Sequence, residues 1–144
     1  MTRRVKNILL VEDEVADAAL VRATLGASGE QNRIHHVENG VEALRFLRRE
    51  PPYEDAPLPD LVLLDLNMPL LDGHATLERI RKDKQVPFVP VIVMTSSARK
   101  DEIARSYELG ANCYVRKSLD FDEFQTNVRS IESFWLGVAA LPVR

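Results

Sequence analysis

The sequence has a single cysteine, Cys113, so no disulfide can form within the chain and a covalently stapled secreted scaffold is excluded. It has no basic run longer than two residues, and 22 acidic against 19 basic side chains leave a formal charge of −3. That balance argues against a nucleic-acid or anionic-membrane surface, since both are bound chiefly by Lys and Arg neutralising phosphates. The opening MTRRVKNILLVEDE lacks the long apolar stretch of a secretory signal, which makes the cytoplasm the expected location. No repeat, low-complexity tract or inter-domain linker is present, and the nine residues after Trp135 are too few for a helix-turn-helix or other output domain. The expected organisation is one domain over residues 1–135 with an apolar tail over residues 136–144. A make-up of 45% hydrophobic and 28% charged residues suits a soluble globular domain able to bury a core.

What is present is an alternation. Five short segments rich in branched apolar residues read as strands: NILLV from Asn7, RIHHV from Arg33, DLVLLDL from Asp60, VPVIVMT from Val89 and NCYVRK from Asn112. Between them, apolar residues recur at roughly the three-and-four spacing of one helix face: Val15, Leu20 and Leu25 with the small alanines between them, then Val41, Leu44 and Leu47, then Leu77 and Ile80. A weaker pattern runs through Ile103, Tyr107 and Leu109. The clearest runs through Phe121, Phe124, Val128, Ile131 and Trp135, after Asp120 and Glu123 placed as a capping pair. The proline-rich piece EPPYEDAPLPD, residues 50–60, reads as a long loop. Such an alternation implies right-handed crossovers around a parallel sheet with helices on both faces.

The run LVLLDLNMPLLDG, residues 61–73, has the continuous apolar character of a strand buried on both faces, yet it closes on Asp65. A charge there is costly unless paired, hydrogen-bonded or metal-bound. The other strands also end on polar groups: Glu12 and Asp13 after the first, Thr95 at the end of the fourth, Lys117 at the end of the fifth. In an open parallel sheet the ligand site lies outside the carboxyl ends of the strands, at the point where strand order reverses. If the order is 2-1-3-4-5, the first and third strands are neighbours there, and Asp13 would meet Asp65. Carboxylates so close repel, and a hard divalent cation resolves the repulsion. Mg2+ is the expected ion, taking oxygens from Asp13 and Asp65 and a backbone carbonyl, with waters held by Glu12. Lys117 and Thr95 supply an ammonium and a hydroxyl, the groups expected around phosphoryl oxygens. Taken singly, an Asp-Glu pair after a strand is an ordinary helix cap, and Thr95 or Lys117 an ordinary cap or surface residue. Their joint occurrence in order, each at the end of the proper strand, favours the functional reading.

These residues resemble the receiver domain of two-component response regulators, through ILLVEDE, VENGVEAL, LVLLDLNMPLLDG, VPVIVMTSSA and LGANCYVRK, over nearly the whole chain. The resemblance implies a flavodoxin-like, doubly wound (βα)5 fold of sheet order 2-1-3-4-5. It implies Asp65 as phospho-acceptor for a sensor histidine kinase, Glu12 and Asp13 as the acidic pair, and Asn67 as donor of a main-chain carbonyl to Mg2+. It also implies Thr95 as switch hydroxyl, Tyr114 as switch aromatic and Lys117 as the site lysine, in a domain that catalyses its own phosphorylation and dephosphorylation. The long loop before Asp60 and the ending IESFWLGVAALP are similar to single-domain regulators paired with bacterial and cyanobacterial phytochrome kinases. The chain departs from the family where Lys117-Ser118 replaces the common lysine-proline, often cis; a cis bond before serine costs roughly 2.5–4 kcal/mol.

Two rival classes fit less well. A Mg2+-dependent aspartyl-phosphate phosphohydrolase needs a second Asp two residues after its nucleophile as general acid and base, and Asn67 stands there. A flavodoxin-like electron carrier would dock its flavin phosphate in the first strand-to-helix loop, where Glu12, Asp13 and Glu14 repel a dianion. His35 and His36 are expected on opposite faces of a strand, His74 in solvent, and Cys113 as an apolar packer. Finally, Phe134, Leu136, Val138 and Leu141, beside Trp135, are apolar residues in excess of one helix face, so the chain is expected to form a homodimer through its last helix and tail.

Overall fold

The computed structural model describes residues 5–26 and 32–142. Strand and helix alternate as β1 Lys6–Val11, α1 Val15–Gly26, β2 Asn32–Val37, α2 Gly40–Arg48, β3 Leu61–Leu64, α3 Gly73–Lys82, β4 Val91–Thr95, α4 Lys100–Glu108, β5 Cys113–Arg116 and α5 Phe121–Ile131. A π-helical segment, Glu132–Val138, continues α5. The strands form one parallel sheet in the order β2-β1-β3-β4-β5, the order expected from the sequence.

Strand alternation sends side chains to two separate cores. Leu9, Val11, Val62, Leu64, Val91 and Val93 pack with α2 and α3 residues on one face. On the other, Ile8, Leu10, Leu61, Leu63, Ile92 and Met94 pack with Ala18, Val21 and Leu25 of α1 and Phe124, Val128 and Ile131 of α5. All four residues of β3 are buried, as the apolar run requires of a central strand. Caps set the helix starts: Asn39 accepts from the Glu42 amide, Asp72 from Ala75 and Asp120 from Glu123. Residues 50–60 form no helix or strand, as expected of that loop. Among the described residues no helix is long and apolar enough to cross a membrane.

The helix faces needed correction where the stripe overruns the sheet. Val15 is 73% exposed and Phe121 59% exposed, because each opens its helix, and only the later turns, through Ala18, Val21 and Leu25 or Phe124, Val128 and Ile131, touch strands. Tyr107 faces solvent and its hydroxyl accepts from the Tyr114 amide; the residue α4 buries completely is Ser106. His74 is likewise not simply solvated, since its Nε2 lies 2.9 Å from Ser106 Oγ. His35 and His36 do separate, toward Asn7 Oδ1 and the Glu12 carbonyl, and Cys113 packs against the α1–α5 core. Among the described residues the one cis peptide is Pro51–Pro52, so the Lys117–Ser118 bond is trans.

Candidate functional site

The site is built by extending strand ladders one residue past their ends. The Glu12 amide donates to the Val37 carbonyl at 3.0 Å, and the Asp65 amide to the Val11 carbonyl at 3.0 Å, so both acids are fixed by backbone before their side chains act. The Lys117 amide does the same toward the Thr95 carbonyl at 2.7 Å. The loop after β3 is closed in turn: α3 begins at Gly73, whose amide donates to the Leu66 carbonyl at 2.8 Å.

Carboxylate oxygens of Glu12, Asp13 and Asp65 lie within 4.8 Å of one another, the first and last buried and Asp13 exposed. Burial raises the Glu12 carboxyl to about 7, the Asp65 charge adding to the rise and the Lys117 hydrogen bond opposing it. Asp65 is raised by its own burial and by the Asp13 charge, against Lys117 and the amides of Asn67 and Leu66. Two buried acids and one at the surface, all oxygen donors, suit a hard divalent cation. Asn67 is exposed two residues beyond Asp65, where its carbonyl was expected to serve that ion.

Lys117 reaches into this cluster with its side chain 10% exposed. Its Nζ lies 2.7 Å from Glu12 Oε2, 2.9 Å from Asp17 Oδ2 and 3.8 Å from Asp65 Oδ1. Burial alone would lower the ammonium, but the hydrogen bonds to Glu12 and Asp17 and the charge of Asp65 outweigh it and hold its pKa above the ordinary lysine value. Asp17 was missed by the sequence reading. Its one signal was an acid in the first turn of the helix that leaves β1, a feature usually satisfied by the helix dipole.

Thr95 ends β4 fully buried, and its Oγ1 has no hydrogen-bond partner among the described residues. That is a costly state for a hydroxyl unless another conformation or ligand uses it. Tyr114, on the neighbouring strand, donates from its hydroxyl to the Ser97 carbonyl at 2.8 Å, across the start of the segment after β4. The geometry thus brings together Glu12, Asp13, Asp65 and Lys117, with Thr95 and Tyr114 on the adjoining strands.

Residues 8–129 match the response regulator receiver domain family. Response regulator Rcp1 of Synechocystis sp. is 41% identical over 137 residues, 95% of this chain and 93% of that protein. Among solved structures, the phosphorylated cyanobacterial phytochrome response regulator RcpA aligns with a TM-score of 0.93 at 41% identity, covering 97% of this chain and 100% of that one. The Mn(2+)-bound form of Rcp1 aligns with a TM-score of 0.90 at 40% identity, covering 96% and 99%.

Proposed function

The chain belongs to the response regulator receiver domain family, and from that premise we propose that Asp65 is the side chain that accepts the phosphoryl group. The observation that carries this is the position of Asp65, buried to 6% exposure at the end of the central strand with Glu12, Asp13 and Lys117 around it. In this reading an Asp65 carboxylate oxygen attacks the phosphorus of a phosphohistidine on a sensor kinase. The phosphorus–nitrogen bond breaks, the imidazole leaves and an aspartyl phosphate forms. Lys117 moves its ammonium onto the phosphoryl oxygens, where the developing charge makes it worth most. Mg2+ is the proposed cation for Glu12, Asp13, Asp65 and the Asn67 carbonyl, and when bound it supplies the positive charge that lets an anionic donor approach.

Because these groups all belong to this chain, the kinase is not required for transfer. Incubation with Mg2+ and acetyl phosphate should add one phosphoryl group, and EDTA should prevent it. No uptake under those conditions would remove the reading. The likeness to Rcp1 and RcpA supports a phytochrome histidine kinase as donor, in the cytoplasm, and the net charge of −3 supports a protein rather than nucleic acid as the next partner. Phosphotransfer from each histidine kinase of the same cell, a phytochrome first, identifies the donor.

The switch is proposed to run through Thr95 and Tyr114. A phosphoryl group on Asp65 brings acceptor oxygens to which the unpartnered Thr95 hydroxyl can donate. The turn of Thr95 frees space for the Tyr114 ring, whose bond to the Ser97 carbonyl is then lost. Thr95→Val keeps the shape and removes only an unsatisfied hydroxyl, so it should leave stability equal to or above that of the native protein. It should still accept the phosphoryl group, while the phosphorylation-linked NMR shifts of Tyr114 and the α4 region disappear. Shifts of native size in Thr95→Val would eliminate the hydroxyl as coupling element.

A homodimer through the last helix and tail is the proposed assembly. Trp135 and Leu136 pack partly on their own core, which narrows the free surface to Phe134, 52% exposed, and Val138, 74% exposed. Beside them lies an open groove of about 720 Å3 lined by Tyr114, Leu119, Ile131, Phe134 and Trp135. Burying such side chains contributes roughly 1.5–3 kcal/mol each before the cost of association. Phe134→Asp with Val138→Asp, which leaves Trp135 and Leu136 in place, should turn a dimer into a monomer in sedimentation at micromolar concentration. A native chain that sediments as a monomer overturns the assembly.

A further inference from the structure

We infer that Asp17 is a positioning residue that holds the Lys117 ammonium back from Asp65 in the resting protein and so limits the rate at which the site accepts a phosphoryl group. The inference rests on the reading of Asp65 as acceptor and of Lys117 as its cationic partner. An ammonium has three N–H donors. Those of Lys117 are drawn to Glu12 at 2.7 Å and Asp17 at 2.9 Å, whereas the nearest Asp65 oxygen stands at 3.8 Å, beyond hydrogen-bond length. Lys117 is thus parked beside the acceptor rather than on it.

The two restraining carboxylates differ in what can release them. Glu12 shares its oxygens with the cluster of Asp13 and Asp65, so a cation held there would compete with the lysine for it. Asp17 is outside that cluster, and a cation leaves it where it is. Its backbone also cannot follow the lysine. It sits in the first turn of α1, whose next residue, Ala18, is packed into the core together with Val21 and Leu25. The backbone of Lys117 is fixed as well, through its amide to the Thr95 carbonyl. The lysine has a long side chain and Asp17 a short one on an anchored helix, so moving toward a phosphoryl group on Asp65 means stretching a charge-assisted hydrogen bond to a partner of little reach. An acid at this place therefore acts through Lys117 and touches neither the donor nor the reacting oxygen.

Asp17 also lies in the amino-terminal turn of a helix, where the dipole favours an acid, and a dipole role alone predicts no change in transfer rate. The two roles separate in the rate of phosphorylation by phosphoramidate at saturating Mg2+, followed by intact mass on the full chain. Asp17→Asn should raise the limiting rate roughly fivefold, with the half-saturating phosphoramidate concentration unchanged, since the asparagine amide oxygen still accepts and the difference between a charge-assisted and a neutral hydrogen bond corresponds to about that factor. Asp17→Glu, which restores a carboxylate within reach, should return the rate to within about twofold of native. Glu14→Gln removes an exposed charge just before the same helix and should leave the rate unchanged. A rate for Asp17→Asn equal to or below native overturns the inference, as does equal acceleration by Glu14→Gln, which would mean a general charge effect. If the native chain takes up no phosphoryl group, the reading of Asp65 itself has failed. Native uptake with an unaffected Asp17→Asn variant removes the role of Asp17 alone.

Discussion

Asp65→Asn should take up no phosphoryl group from acetyl phosphate and, in the same preparation, should unfold at a higher temperature than the native chain. The first effect follows from chemistry: an amide oxygen at the end of β3 is a poor nucleophile, and no other carboxylate in the cluster is held in the same place by the Val11 carbonyl and the start of α3. The second follows from electrostatics. Burial and the Asp13 charge push the Asp65 carboxyl above its ordinary value, so its ionised form is disfavoured in the folded protein relative to the unfolded chain. Glu12 is pushed the same way, to about 7. A folded-state pKa above the unfolded one means the native state binds more protons in that window. For Glu12, stability is highest below the unfolded value of 4.5 and is lost as pH rises toward 7 in the metal-free protein. Asparagine removes one of the repelling charges while Lys117 keeps Glu12 and Asp17 as partners. Thermal unfolding in EDTA, beside intact mass after acetyl phosphate treatment, checks both. Phosphorylation that survives in Asp65→Asn sinks the assignment of the acceptor, and a lower unfolding temperature sinks the argument that the acidic cluster costs stability.

The stabilising effect and the loss of function share one cause, and the same cause made the site readable. An apolar run such as LVLLDL has no structural reason to close on a buried carboxylate, so Asp65 stood out against the strand that carries it. The gathering of strand ends at one edge followed from the same alternation, because parallel strands joined by helices deliver all their carboxyl ends to one edge, whereas the sheet order came from the resemblance to receiver domains. Side-chain exposure was harder to read. Val15 and Phe121 keep the spacing of a buried stripe but sit in the first turns of their helices, and periodicity carries no information about where a helix overruns its sheet. Asp17 stayed hidden for a different reason. Its partner is 100 residues away in the chain, and an acid in the first turn of a helix is unremarkable until Lys117 is found against it. Long-range pairing between two charged side chains leaves no local pattern to read. The unpaired Thr95 hydroxyl was beyond reach for the same reason, since the lack of a partner is a property of the packed fold.

Gly73→Ala should be among the most damaging single changes outside the acidic cluster, although it adds one methyl group to a position at the start of a helix, where alanine is ordinarily favoured. A Cβ at Gly73 would stand 2.4 Å from the Asp65 carbonyl oxygen and 2.5 Å from the Leu66 Cα. Both are backbone atoms, so no rotamer change can make room, and α3 must move off the loop that follows β3. Overpacking of this kind costs on the order of 3 kcal/mol, and the better helix propensity of alanine returns at most about 1 kcal/mol. The displaced backbone is that of Asp65 itself, and a misplacement of about 1 Å at a reacting group can cost roughly 100-fold in rate. Gly73→Ala should therefore show a lower denaturant midpoint and, at a temperature where it remains folded, phosphorylation by acetyl phosphate slowed by roughly two orders of magnitude. Gly26→Ala supplies the contrast, since a Cβ there meets nothing within 4 Å and should leave the site untouched. Stability equal to native in Gly73→Ala would mean that α3 does not abut the Asp65 loop this closely. A lowered midpoint with a native rate would mean that the loop yields without moving the carboxylate, and that Gly73 serves the fold but not the placement of Asp65.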